Sequence, residues 1–357
     1  MSFTNMNMNK EFLKKLLEIP SPSGCEELGI EVWQREMITK LGLPYYKDKM
    51  GNTAFSVGNG PIKVMFSGHI DEIAMGVGYI TENGFLIPKN MCGVDKKVLP
   101  GSAVLILREP NLESVEGVIH KNPIHIEWKE EKLKDKVLDM EDLRIDIGAE
   151  SKEEVESLGI HVGSPIVHGR ILNLEFGSHR LHGNSLDDKA GVFVVSEVMK
   201  RLAEYTNESE WWNKYTIIGC ACTGEESGLL GAHKVARQIN PDISVDLDVL
   251  HACDTGQFEK KKWGEINLGE GPVITWGQDK SRRLNKILGC GGIKTQDGSE
   301  RIGGTNTKEF YLEGSDTEST LLSLPLLSMH TPIETMDWRD IEGAIELLTS
   351  TTIECKW

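Results

Sequence analysis

The chain has 357 residues, 39% hydrophobic and 26% charged, which suits two globular domains or one domain carrying a large insertion. A formal charge of −16 excludes the basic footprint that nucleic acids and anionic membrane surfaces require. No apolar run approaches the roughly 20 residues of a bilayer span, the opening "MSFTNMNMNKEFLKKLLEIP" lacks a signal-peptide pattern, and seven cysteines without a C-x-x-C pair predict a reduced, cytoplasmic protein.

In chain order, residues 8 to 18 predict an amphipathic helix with Phe12, Leu16 and Leu17 on one side. The loop "PSPSGCEE" follows, then a second helix, "EELGIEVWQREMITKLG", ending at Gly42. "NTAFSV" and "KVMFSGHI" read as strands joined by the turn "GNGP". From about 73 to 170 the texture becomes that of short strands: "GFLIP", "SAVLILRE", "VEGVIHKN", "IHIEW", "LRIDIGA" and "SPIVHGRI". One helix interrupts them, with Ser151 and Glu154 as a capping pair and Gly159 as its close. This predicts a small β-domain inserted into something else. After about 180 the chain returns to alternating elements: the helix "DDKAGVFVVSEVMKRLAEY", the strand "YTIIGCACT", the helix "GLLGAHKVARQI", the strand "VDLDVLHACD" and the last helix "IEGAIELLTSTTIE". Such alternation predicts an α/β fold, an open sheet with helices on both faces.

Function in an open α/β sheet gathers at the carboxyl ends of its strands. Here "VMFSG" ends in His69 and Asp71, "TIIGCACTG" in Glu225 and Glu226, and "LDVLHAC" in Asp254; "NSLDDKAG" adds Asp187 and Asp188 ahead of a helix, and "LLSMHTPIE" adds His330. Each piece alone has a plainer explanation. A His-x-Asp is commonly a satisfied surface pair, an Asp-Asp before a helix is commonly an N-cap, a Glu-Glu is commonly a solvated turn, and a single histidine after an apolar run is commonly structural. Five such coincidences at element ends outweigh those explanations. Two histidines with three carboxylates suit a pair of borderline metals such as zinc, cobalt or manganese. Two metals about 3.5–4 Å apart need a bridging carboxylate and a bridging water, and one acid must stay off the metals to take a proton. Adjacent Glu225 and Glu226 suit that division of labour.

These segments resemble, in order and over nearly the whole chain, the cytosolic dinuclear-metal aminopeptidases of the tetrahedral (TET) type, metallopeptidase family forty-two, which includes glutamyl and deblocking aminopeptidases. The resemblance is carried by "SPSGCEE", "SGHIDEI", "DLRIDIGAESKEEVESLGIHVGSPI", "LDDKAG", "TGEESGLLGA", "CDTG", "EGSDTE" and "MHTPIE". It implies an open mixed-sheet metallopeptidase domain, residues 1–72 and 171–357, with an inserted small β-barrel-like dimerisation domain, residues 73–170. It implies two divalent ions per subunit, zinc or cobalt with manganese as a third choice, held by His69, Asp187, Glu226, Asp254 and His330, with Asp187 bridging. Glu225 would be the general base acting on the metal-bridging water, and Asp71 would orient His69. Peptides would be the substrates, cut at the first residue, and self-association from dimer to hollow dodecamer would restrict their access. The sequence departs from the family's usual pattern at Ala74, Lys189, Gly224, Ser227 and "GSDTE", which bears on side-chain preference more than on catalysis.

A related two-metal carboxypeptidase or N-deacylase shares much of the pattern, and the long β-insert between Asp71 and Asp187 favours the aminopeptidase. A non-catalytic assembly protein on the same fold would have no need of both Glu225 and Glu226. The endoglucanase label sometimes given to such chains is not supported, because a glycosidase needs opposed carboxylates rather than this ligand set. His120, His125, His179, His182 and His251 read as structural, turn or core residues, and Trp211 and Trp212 as a surface patch or subunit contact.

Overall fold

A computed structural model describes residues 8–127, 129, 137–204, 210–257, 259–299, 304–314 and 316–357. Two compact units emerge. The first comprises Met1–Glu72, Leu172–Met329 and Glu334–Trp357, and the second Ile73–Ile171 with His330–Ile333.

The first unit is built on an eight-stranded mixed sheet. Its order is Tyr46–Lys47, Thr53–Val57, Tyr215–Cys222, Ile62–His69, Ile243–His251, Glu318–Leu326, Val273–Trp276 and Gln296–Ser299. The four central strands, from Tyr215–Cys222 to Glu318–Leu326, run parallel, and the flanking pairings to Thr53–Val57 and Val273–Trp276 are antiparallel. Parallel strands covered on both faces read as near-continuous apolar runs, and Ile62–His69 shows why. Val64 and Phe66 enter one core, while Met65, pointing the other way, enters a second. The larger core collects the helices Lys10–Glu18, Glu27–Leu41, Leu186–Ala203, Arg282–Gly289 and Trp338–Ile353. The smaller one lies under Leu230–Ile239 and Asn306–Glu313, through Ala232, Val235, Ala236, Ile239 and Phe310.

The first helix buries Phe12, Leu13, Leu16 and Leu17, and the Asn9 side chain accepts from Phe12 N at 3.3 Å. The second ends at Gly42, whose φ of +78° lies in the left-handed region. The helix read from "DDKAGVFVVSEVMKRLAEY" spans Leu186–Ala203, and Tyr205 lies outside the described residues. A three-stranded antiparallel sheet, Leu172–Phe176, Arg180–Gly183 and Glu334–Asp337, has no counterpart in the sequence reading. Its first strand, "LNLEF", is largely exposed, so no buried face writes an apolar pattern into it.

The second unit is a closed barrel of Met75–Ile80, Leu86–Asn90, Ile145–Asp146, Glu113–Ile119, Ala103–Arg108 and Pro165–His168, in that order around the ring. Val77, Leu86, Val104, Ile106, Ile119, Ile145 and Ile166 fill it. The helix Lys152–Ser157 starts where Ser151 Oγ accepts from Glu154 N at 3.2 Å, and Gly159 follows at φ +81°. Two expectations change. "IHIE" is a single helical turn, Ile124–Glu127, rather than a strand; Pro123 before it supplies a preset φ suited to a helix start, and Trp128 lies outside the described residues. Trp211 is fully buried in the first unit and packs edge-to-face on Trp212 at 5.4 Å, so it is a core residue rather than part of a surface patch. Among the described residues, no helix is long and apolar enough to cross a membrane.

Candidate metal centre

Strand register assembles the centre. Cys222 lies beside His69 across one parallel pairing, and Asp246 lies beside Ser67 across the next. Two residues beyond Asp246, on the same face of its strand, Asp248 therefore reaches the level of His69. Asp187 and Asp188 sit at the start of the helix Leu186–Ala203 with non-helical backbone angles, joined by a cis peptide. His69 Nε2 is 3.2 Å from Asp187 Oδ1 and 3.9 Å from Glu225 Oε2. The ligand atoms of His69, Asp187 and Asp248 lie within 4.8 Å of one another, as do those of His69, Glu225 and Glu226.

The supports are carboxylates. His69 Nδ1 faces the backbone carbonyl of Asp71 at 3.1 Å, with the Asp71 carboxylate at 3.5 Å. That carboxylate accepts from Glu225 N at 3.1 Å and Glu226 N at 3.0 Å, so Asp71 ties the imidazole strand to the Glu-Glu turn. Asp188 turns away from the pocket. It accepts from His69 N and Gly191 N, both at 3.1 Å. Lys189, fully buried, donates to Ile19 O at 2.7 Å and to Glu72 Oε1 at 3.1 Å, and Glu72 Oε2 accepts from Ser185 Oγ at 2.6 Å. Ion pairing in the interior is sustained only with such complete hydrogen bonding.

Burial and mutual repulsion shape the electrostatics. Burial pushes the Glu225 carboxyl up to about 8; His69 opposes this, and Glu226, Asp187 and Asp71 add to it. Burial holds Asp248 well above the usual carboxylate range, with Glu225, Asp188 and Asp187 contributing and His69 opposing. Burial also raises Asp246 to about 7, although Ser67 Oγ donates to it at 2.6 Å and Thr307 N at 3.0 Å. His69 is pulled down by burial but driven well above its ordinary value by Glu225, Asp187 and Asp71. A cluster of imidazole and carboxylates that resist sharing one buried space is the donor set a divalent cation relieves, because the ion's charge reverses the local pKa logic. Nitrogen and oxygen donors of this mix fit zinc, cobalt or manganese, so the residues present fit the metals expected.

The structure brings His69, Asp187, Glu225 and Glu226 together, with Asp71 beneath them. It places Asp254 elsewhere. That side chain lies beyond the strand's end, 3.5 Å from Arg180 Nη2, and accepts from Leu268 N at 2.9 Å. Asp248, which the sequence reading did not single out, stands beside His69 and Asp187 instead. The available signal was the alternation in "VDLDVL", two acids on one face of an otherwise apolar run, since unpaired acids are almost never fully buried. His330 packs in the second unit, its Nδ1 3.0 Å from Gly93 O. His120 pairs with Asp146 at 3.1 Å, and His182 lies edge-on to Phe176, so both have structural roles. His233, Glu309 and Glu313 form another cluster on the helices Leu230–Ile239 and Asn306–Glu313, where Arg237 Nη2 also pairs with Glu313 at 2.5 Å, an ion-pair network between helices.

A profile of the M42 glutamyl aminopeptidase family matches residues 51–347. A lysyl aminopeptidase of Pyrococcus furiosus is 27% identical over 97% of this chain and 97% of its own length. The crystal structure of a TET aminopeptidase from a marine-sediment Thaumarchaeota archaeon superposes with a TM-score of 0.88 at 26% identity, over 97% of this chain and 98% of that one. The Pyrococcus horikoshii TET1 peptidase, which can assemble into a tetrahedron or a large octahedral shell, gives a TM-score of 0.83 at 28% identity, covering 96% and 98%.

Proposed function

This chain belongs to the M42 glutamyl aminopeptidase family, and from that premise we propose that it is a metal-dependent aminopeptidase that removes the first residue of peptides, with Glu225 as general base. The observation that supports this most directly is the convergence of buried His69, Asp187 and Asp248 with half-buried Glu225 and Glu226. The residues that would hold the metals are His69, Asp187, which would be shared between them, Asp248 in place of Asp254, Glu226 and His330. The cations, when bound, supply Lewis-acid polarisation of the scissile carbonyl and of water.

The chain's own residues do the rest. Glu225, held by its backbone N–H to Asp71, takes a proton from the attacking water and returns it to the leaving amine. A carboxyl raised to about 8 by burial is a carboxyl able to hold that proton near neutral pH, and bound cations pull in the opposite direction. Asp71 fixes the imidazole and the base in one frame, which preserves the attack geometry. The acids around the pocket favour a substrate's free α-ammonium group, hence an exopeptidase. Self-assembly of the chain toward a closed shell, through the barrel unit, and a cytoplasmic location are part of the same proposal. The shell is supported by the assemblies of the Pyrococcus horikoshii relative, and the location by seven free thiols.

The deciding experiment is hydrolysis of one peptide in two forms, free and N-acetylated, with and without added cobalt or zinc. Release of the first residue from the free form alone, dependent on metal, is expected. Release of acetate or of the C-terminal residue would replace this reading with a deacylase or a carboxypeptidase.

A further inference from the structure

The turn that carries the two glutamates is held from behind by a segment far away in sequence. Three successive backbone N–H groups, those of Gly224, Glu225 and Glu226, converge on two buried carboxylates. Gly224 N donates to Glu26 Oε1 at 2.9 Å, and the other two donate to Asp71. Consecutive amides facing one concavity form an anion-binding nest, and Gly224, at φ +65°, supplies the left-handed residue that such a curve needs. Here the anions are the protein's own. Glu26 is 5% exposed and its Oε1 also accepts from Gly24 N at 2.9 Å. Beside it, Ser23 Oγ donates to Ser227 Oγ at 2.9 Å. Ser227 stands directly after the glutamate pair.

The segment is itself tied to the end of the His69 strand. Ser21 N donates to Glu72 Oε1 at 2.8 Å, Ser21 Oγ to Ile70 O at 2.8 Å, and Ser23 N to Glu72 O at 3.1 Å. The loop "SPSGCEE" is therefore a strap between the histidine strand and the glutamate turn, anchored at both ends by hydrogen bonds.

We propose that Glu26 is a positioning residue for catalysis, the acceptor which, with Ser23 on Ser227, holds the turn so that Glu225 and Glu226 face the pocket. It touches neither substrate nor metal and acts through the backbone of Gly224. Removing it leaves that N–H buried without its acceptor, and a turn freed by a fraction of an ångström misplaces the base rather than the substrate. The inference rests on the aminopeptidase reading.

The test is steady-state kinetics on a free dipeptide at saturating metal, with metal release measured alongside, for the intact assembled protein and its variants. Glu26→Ala is expected to lower kcat about 10–100-fold, the usual scale for residues that orient a metal site from behind, with KM unchanged and faster metal release. Glu26→Gln, which keeps an acceptor oxygen for Gly224, is expected to restore most of kcat. No loss in either variant, or equal loss in both, overturns the proposal. Should Glu26→Ala fail to fold, Ser227→Ala removes the second bond of the strap without leaving the buried Gly224 N–H unpaired; a lower kcat at unchanged KM is expected, and an unchanged kcat overturns the proposal. If the wild-type protein binds metal but cleaves no free peptide, the aminopeptidase reading has failed on its own. The strap is then judged by metal release, which Glu26→Ala should speed and whose constancy would overturn it.

Discussion

Glu225 and Asp248 carry the sharpest expectations at the scale of single residues. Glu225→Gln keeps shape and removes the ability to take a proton. It should leave metal content unchanged while kcat falls by about 10²–10⁴, the usual contribution of a general base; near-normal turnover would assign the proton transfer to another group. Asp248→Asn should release metal, whereas Asp254→Asn should retain it, because Asp254 serves Arg180 and the Leu268 amide. Metal analysis after dialysis distinguishes the two, and the reverse pattern would return the ligand role to Asp254. The residues legible in the sequence were those whose motif has unusual chemistry at an element's end: His69, Asp187, Glu225 and Glu226. Asp248 escaped because it lies inside a strand, three residues before its last residue, His251. Only the register against Ile62–His69 brings it level with the histidine. Asp71 meets His69 through its backbone carbonyl, the nearer partner, and through its carboxylate, which also serves the glutamate turn.

At the scale of elements, the contact between the strand Ile62–His69 and the helix Leu186–Ala203 determines how closely the acidic pair approaches the histidine. A Cβ on Gly68 would stand 2.9 Å from both Asp188 Oδ2 and Val192 N. Any side chain there must push the helix start away from the strand, and Asp188 loses its bond to His69 N. Gly68→Ala should therefore cost about 1–3 kcal/mol, the usual scale of overpacking, and weaken metal binding as well. Thermal unfolding with and without metal measures both, and an unchanged melting temperature would show that the helix can shift freely. The central strands and long helices were readable because burial on both faces, or on one helical stripe, writes a pattern into the residues. The Leu172–Phe176 strand and the Ile124–Glu127 turn were not, the first because it is largely exposed, the second because "IHIEW" fits a strand and a short helix equally.

At the scale of the whole molecule, buried acids should make stability depend on pH and on metal added to the protein. Burial raises Glu225 to about 8 and Glu26, Asp246 and Asp340 each to about 7, well above their ordinary values. Each binds its proton more tightly folded than unfolded, so its stabilising effect is complete below about pH 4 and is lost as pH rises through 7 to 8. The metal-stripped protein should thus melt at a lower temperature at pH 8 than at pH 6. The gain on adding zinc should be larger at pH 8, because the cation takes the place of protons that have left. Calorimetry at the two pH values tests this, and a metal-free melting temperature that rises with pH would contradict it. By itself the sequence determined the α/β class, the β-rich insert, the family resemblance and most of the titratable residues that gather at the candidate site, since apolar periodicity and rare clusters of titratable residues are local and survive in one dimension. Tertiary structure alone decided that Asp248 stands beside His69, that Asp71 and Glu26 share the amides of the glutamate turn, and that Trp211 is core. Those facts depend on strand register and on chain segments as far apart as 26 and 224, and no local pattern encodes such distances.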